Sequence, residues 1–198
     1  MTTYPDPHPW AAQPDTLLDQ IWARLVRGVG DRHAPARHPT LATVTPQGMP
    51  QARTVVLRGA DRGAGVLEVH TDLKSGKVAD LRANPLAALH VWDAGAHLQT
   101  RIEARADILT GEAVAAVWAR VPDPSRQSYG SHPAPGTPID DALAYAKRPD
   151  AACFAVLRLT VLAIDVVHLG PQHRRARYMR ETGWQGQADT CRQSRFGG

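Results

Sequence analysis

The sequence predicts a mainly β fold of the α+β class, a small antiparallel barrel of six or seven strands with helices at its periphery. Three observations point there. Between Leu98 and Ile108, the residues Leu98, Thr100, Ile102, Ala104, Ala106 and Ile108 alternate with Gln99, Arg101, Glu103, Arg105 and Asp107. That period of two is the mark of an antiparallel strand with one core face and one polar face. The chain also carries 16 glycines and 16 prolines against 6% aromatic residues, which suits a turn-rich protein better than a helical bundle. Finally, apolar runs of strand length recur between turn signals, and closing such strands on themselves gives a small barrel.

The elements follow in order. Leu17, Leu18, Ile21, Trp22, Leu25 and Val26 fall on one helical stripe behind Asp15 and Thr16 as caps, and Gly28 and Gly30 end it. Leu41 to Thr45 and Gln51 to Arg58 flank the turn Pro46-Gln47-Gly48-Met49-Pro50 and read as a hairpin. A third strand follows the turn Asp61 to Gly65 and ends at His70 and Thr71. Ser75 then caps a short helix that stops at Asn84-Pro85, and Leu86 to Trp92 is a strand. After the alternating strand, Thr110 caps a helix bearing Val114, Val117, Trp118 and Val121, closed by Pro122. Asp123 to Asp150 is loop-rich, with a turn of helix at Ala142 to Ala146. Phe154 to Leu162 and Ile164 to Leu169 are two further strands, and His173 to Arg180 a last one.

The 198 residues make one domain, 1–198, with 1–13 and 181–198 read as flexible ends. Lys and Arg outnumber Asp and Glu by 23 to 19, a mild excess that favours anionic partners without choosing among them. Two cysteines, Cys153 and Cys191, make no disulfide framework, and no Cys and His set has the spacing of a zinc site, so no metal is expected. The Pro-rich start lacks the features of a signal peptide, and no stretch is apolar enough to span a bilayer, so a cytoplasmic protein is expected.

Chemistry concentrates in the first half. Arg53-Thr54-Val55-Val56-Leu57-Arg58 is bracketed by guanidiniums, and the helix opening at Ser75 has free N–H groups, a hydroxyl and Lys77 in its first turn. A helix start so equipped suits a phosphate dianion, which arginine can grip with two parallel hydrogen bonds. The plainer alternative makes Ser75 only a cap and the arginines solvated strand ends. Arg53 and Arg58 are also five positions apart, so strict alternation puts them on opposite faces unless a bulge intervenes.

The ordered series Arg53 to Arg58, His70-Thr71, Ser75-Gly76-Lys77 and Gln99 resembles the motif series of the pyridoxamine 5'-phosphate oxidase family, over about Leu41 to Tyr178. The resemblance implies a split β-barrel that works as a homodimer with FMN at the subunit interface. It assigns Arg53, Ser75 and Lys77 to the FMN phosphate, and Thr54, Val55 and Val56 to a line along the flavin. Arg58 stands where a lysine is common, His70 where a tyrosine is frequent, Thr71 keeps its threonine, and Gly76 falls where an arginine is common. Gln99 and Arg177 would meet the flavin ring, and Gln127-Ser128 would reach FMN from the second subunit. In the substrate place, His173-x-Arg175 stands in the reverse of the family's Arg-x-His order, and Val167 replaces an expected tryptophan.

The expectation is therefore an FMN-dependent oxidoreductase of a divergent, shorter subgroup, passing a hydride from a small anionic substrate held by His173 and Arg175. The alternatives are a flavin-binding module that senses FMN without turnover, or a related barrel enzyme using deazaflavin or haem. Arg174, Arg175, Arg177 and Arg180 form a basic cluster with only Tyr178 among them, too few aromatics for base stacking, so no nucleic-acid partner is expected.

Overall fold

The computed structural model describes residues 7–170 and 173–189. After a single 3-10 turn at Pro9–Ala12, helix α1 (Pro14–Gly30) buries Leu17, Leu18, Ile21, Trp22 and Leu25 of the predicted stripe, whereas Val26 is exposed. Strands β1 (Thr40–Val44) and β2 (Pro50–Thr54) form the expected hairpin. The expected strand from Gln51 to Arg58 is in fact two: β2 ends at Thr54, and β3 (Leu57–Asp61) turns away to pair with β4 (Val66–Asp72). Pairing between β3 and β4 is irregular between Leu57 and Gly59, which puts Arg58 in a bulge and removes the alternation conflict with Arg53.

Helix α2 (Gly76–Ala83) starts at Ser75 as expected, but the Ser75 hydroxyl does not cap it. Strand β5 (Leu86–Asp93) leads to β6 (Leu98–Leu109), whose even-numbered residues Leu98 to Ala106 are all buried. Helix α3 (Glu112–Arg120) is preceded by Gly111 at its cap position, not by Thr110, and the short α4 (Asp123–Arg126) follows it. The loop beyond carries a two-stranded ribbon, β7 (Ser131–His132) and β8 (Ala146–Lys147), in place of a helical turn at 142–146.

Phe154 to Leu169 is one 16-residue strand, β9, where the sequence suggests two. Its first part pairs with β4, from Asp72 opposite Phe154 to Val66 opposite Thr160. Its second part pairs with β10 (His173–Met179), from Ala163 opposite Met179 to Leu169 opposite His173. Along its other edge it pairs with β6 from Val156 to His168, with a β-bulge at Leu162. The antiparallel sheet thus divides at β9, the geometry of a split barrel. Strand β11 (Gly186–Asp189) adds an edge beyond β10, inside the stretch expected to be a flexible end. The other edges of the branched sheet are β2 and β3.

Leu157, Leu159, Val161, Ile164 and Val166 of β9 have no exposed surface and pack with Leu41, Leu57, Leu67 and Ile102 beneath α1. Burying each such side chain contributes about 1.5–3 kcal/mol. A second cluster, Val114, Val121, Tyr129, Phe154 and Val156, seats α3 and the following loop on the start of β9. Of that cluster Tyr129 lines the candidate site, and Phe154 packs edge-on against His70. Among the described residues no helix is long and apolar enough to cross a membrane, and no group of His, Cys, Asp or Glu could hold a metal ion.

Candidate functional site

The turn from β2 into β3, the end of β4, the start of α2 and the loop after α4 enclose a cavity of about 360 Å³. Nine of the residues singled out in the first half of the sequence line it: Arg53, Thr54, Val55, Val56, Arg58, His70, Thr71, Ser75 and Lys77. Ser128 reaches its rim, whereas the adjacent Gln127 does not line it.

One end of the cavity is a ring of donors. Lys77 Nζ donates to Thr71 Oγ1 at 3.0 Å and to Ser75 Oγ at 3.1 Å, and the two hydroxyls lie 3.2 Å apart. Ser75 Oγ donates to the Asp72 carbonyl at 2.7 Å, which turns it away from its own helix and toward the ring. Burial, then the charge of Arg53, holds the Lys77 ammonium below the ordinary lysine range, while Asp72 and Asp80 pull it back. Two cations crowded in a partly dry site call for an anion, and two hydroxyls beside a helix start suit a phosphate. Val55 and Val56 supply an apolar wall further along. This donor set fits the phosphate and flank of a flavin mononucleotide.

Three residues lining the cavity escape sequence reasoning: Asp72, Tyr129 and Pro135. Asp72 is buried and accepts from the Lys74 N–H at 2.7 Å and the Gly130 N–H at 2.8 Å, so it ties the loop after α4 to the end of β4. Tyr129, carried on that loop, packs edge-on against Phe154, and burial pushes its phenol above the ordinary range. The pairing of Asp72 with Gly130 spans 58 positions of sequence, beyond the reach of local pattern.

Arg58 and His70 form a wall with a second side. Behind it lies a cavity of about 280 Å³ lined also by Glu68, Val117, Arg120, Val121, Pro122 and Ser125. Arg120, the last residue of α3, is the second guanidinium there, and a basic residue closing a helix gave no signal of it.

The remaining predicted residues lie elsewhere. Gln99 and Arg175 both stand opposite Val167, and Trp92 stands opposite Gln99, so one row crosses β5, β6, β9 and β10. In the next row the buried Asp165 accepts from Arg175 Nε at 3.1 Å and Nη2 at 2.8 Å, and also from Arg101. Burial alone would raise the Asp165 carboxyl; the two guanidiniums outweigh it and hold it below the ordinary range. Arg177 pairs with Glu103 at 3.0 Å, and His173 is exposed at the start of β10. Arg180 is exposed and donates to the carbonyls of Gly65 and Ala64. Val156 stands opposite His70 at the cavity, and Val167 is eleven residues further along β9, roughly 35 Å of strand. No single chain brings Gln99, His173, Arg175 or Arg177 to the cavity.

Comparison with known proteins adds to this geometry. Residues 18–110 match the family model described as pyridoxamine 5'-phosphate oxidase, FMN-binding domain. A pyridoxine/pyridoxamine 5'-phosphate oxidase from Microcystis aeruginosa is 38% identical over 88 residues, 44% of this chain and 40% of that protein. One from Chromohalobacter salexigens is 36% identical over 109 residues, 55% of this chain and 49% of that protein. The matched stretch thus spans about half or less of these curated relatives. Among solved structures, a pyridoxamine 5'-phosphate oxidase-related, FMN-binding protein from Nostoc punctiforme superposes with a TM-score of 0.69 at 25% identity, covering 86% of this chain and 94% of that one. PhzG from Burkholderia lata, solved with tetrahydrophenazine-1-carboxylic acid, shares the fold, with a TM-score of 0.67 at 21% identity over 96% of this chain and 98% of that one.

Proposed function

From the place of this chain among the pyridoxamine 5'-phosphate oxidase-like proteins, we propose that it binds FMN in the cavity between β2, β4 and α2 and acts as an FMN-dependent oxidoreductase on a small anionic substrate. The observation that carries the reading is the convergence of Arg53, Thr71, Ser75 and Lys77 on one end of that cavity. Arg53 and Lys77 would neutralise the phosphate, Ser75 and Thr71 would fix its oxygens, and Val55 and Val56 would keep the flavin's flank dry. When bound, FMN supplies a two-electron acceptor that takes a hydride from the substrate. This chain contributes orientation and charge, with no nucleophile of its own.

The second cavity supports the anionic substrate. Arg58 and Arg120 face it, and it shares the Arg58–His70 wall with the first, so an acid or phosphate group held there lies next to the cofactor. His70, shifted down to about 4 by burial and then by Arg58, is neutral at physiological pH and offers a hydrogen bond to either side.

The complete site is proposed to need two chains. Gln99, Arg175 and Arg177 sit at the far end of β9 from the cavity of their own chain, on a face where Trp92 is 44% exposed. A twofold pairing that lays this face on the partner's cavity would bring Gln99 and Arg177 to the flavin, and His173 and Arg175 to the substrate. Such isologous pairing closes both sites at once.

Purified protein is expected to be yellow, with a flavin absorption spectrum and about one FMN per chain. It is expected to bleach when an anionic amine such as pyridoxamine 5'-phosphate is added without oxygen. Colourless protein that takes up no added FMN overturns the cofactor; a flavin that no amine, alcohol or nicotinamide reduces leaves a binding module in place of an enzyme.

A further inference from the structure

Arg53 projects from β2, an edge strand of the sheet, where Pro50, Gln51, Ala52 and Thr54 are all exposed. An arginine on such an edge has no neighbouring strand beyond it to hold its long side chain, and ordering it costs up to about 2 kcal/mol of rotamer entropy. Its guanidinium is nevertheless held. Arg53 Nη1 donates to Thr43 Oγ1 at 2.5 Å, and Thr43 Oγ1 in turn donates to Asp80 Oδ2 at 2.7 Å. Asp80 Oδ2 also lies 3.5 Å from Arg53 Nη2. Thr43 and Asp80 are 3% and 6% exposed, so both anchors lie in the interior.

We propose that Asp80 is a positioning residue for the phosphate end of the cavity, fixing Arg53 through the Thr43 hydroxyl. The inference rests on the FMN reading above and adds to it the device that sets the grip. An ionised carboxylate only accepts, so it takes the single proton of Thr43 and leaves that hydroxyl's lone pairs facing Arg53. The direction of every bond in the relay is thereby set. Asp80 lies one turn after Lys77 on α2, so one eight-residue helix fixes both cations of the cradle, Lys77 from its own first turn and Arg53 through Asp80.

Charge alone argues the other way, which makes the inference testable. Removing a carboxylate from beside a dianion site should tighten the dianion by simple Coulomb attraction. If Asp80 acts by holding Arg53, its loss must weaken FMN instead.

The test uses the full chain and compares dissociation constants for FMN and riboflavin, read by quenching of flavin fluorescence. Wild type is expected to prefer FMN strongly. Asp80→Asn and Thr43→Val should each weaken FMN about tenfold while riboflavin is unchanged, and Thr43→Ser should retain wild-type affinity. In an Arg53→Ala background, Asp80→Asn should cause no further loss. FMN bound as tightly or more tightly by Asp80→Asn overturns the inference, as does an equal loss for riboflavin or an undiminished loss in the Arg53→Ala background. Should Asp80→Asn fail to fold, Thr43→Val carries the same expectation alone. A wild-type protein that does not distinguish FMN from riboflavin overturns the FMN reading itself, and this inference with it.

Discussion

Arg58, in the bulge of β3, stands against His70 of β4, and together they form the partition between the two cavities. Burial first, and the Arg58 charge second, bring the His70 imidazole down to about 4 from an ordinary 6.5. In the unfolded chain the same imidazole takes its proton near 6.5, so between those values the unfolded state binds more protons than the folded one. The contribution is therefore fully present above 6.5 and is lost as pH falls toward 4. His70→Tyr removes the titrating group. Its melting temperature should fall less than that of wild type between neutral pH and pH 4.5, and superimposable profiles would show that His70 titrates normally.

Gly76 opens α2 at the donor ring, and a Cβ placed on it meets nothing within 4 Å. A side chain there has room, and the position lies beside Lys77. Gly76→Arg is expected to fold normally and to tighten FMN by about tenfold, the worth of one added charge-assisted contact, with little change for riboflavin. Isothermal titration with both flavins checks this. Weaker FMN binding in the variant would mean that the phosphate does not sit at this end.

Gly130 follows Tyr129 in the loop that Asp72 anchors, at φ +105°, and a Cβ on it would come within 2.1 Å of the Arg148 carbonyl oxygen. Both the backbone region and the contact exclude a side chain. Gly130→Ala should destabilise the chain by about 2 kcal/mol or more, seen in urea unfolding, and should speed FMN release by loosening Tyr129 and Ser128. An unchanged midpoint would show that this loop yields freely.

How much of this was legible depends on distance along the chain. The alternation of β6 was readable because each residue's facing follows from its neighbours two positions away. The break between Thr54 and Leu57 was hidden, since Arg53 to Arg58 is uniformly strand-like and only the change of partner from β1 to β4 divides it. The opposite error arose at Ala163, where one strand looked like two because β9 changes partner there and is buried on both faces. Arg53, Ser75 and Lys77 could be found from local chemistry, but Asp80 gave no signal because its partner Thr43 lies 37 positions away.

The separation of the cavity from Arg177 within one chain leads to a mixing experiment. Arg53→Ala and Arg177→Ala should each weaken FMN. In a twofold dimer that exchanges these residues, a hybrid has one site with both arginines intact and one with neither. After unfolding and refolding equal amounts together, about a quarter of the sites should regain tight FMN binding, as random pairing predicts. No recovery would place both arginines in the same chain's site, or Arg177 in none.

β9 carries Val156, opposite His70 at the cavity, and the row through Asp165 and Val167 on one strand, with a β-bulge at Leu162 between them. Side chains on a strand alternate faces, but the bulge resets the count: the core takes the odd positions Leu157, Leu159 and Val161 before it and the even positions Ile164 and Val166 after it. Without that extra residue Ile164 and Val166 would leave the core face, Asp165 would turn toward it, and Arg175 and Arg101 would lose their shared carboxylate. The facing of one end relative to the other is thus set by one bulge residue. Chemistry at either end can drift by exchanging one residue type for another, but removing Leu162 would turn one end over relative to the other.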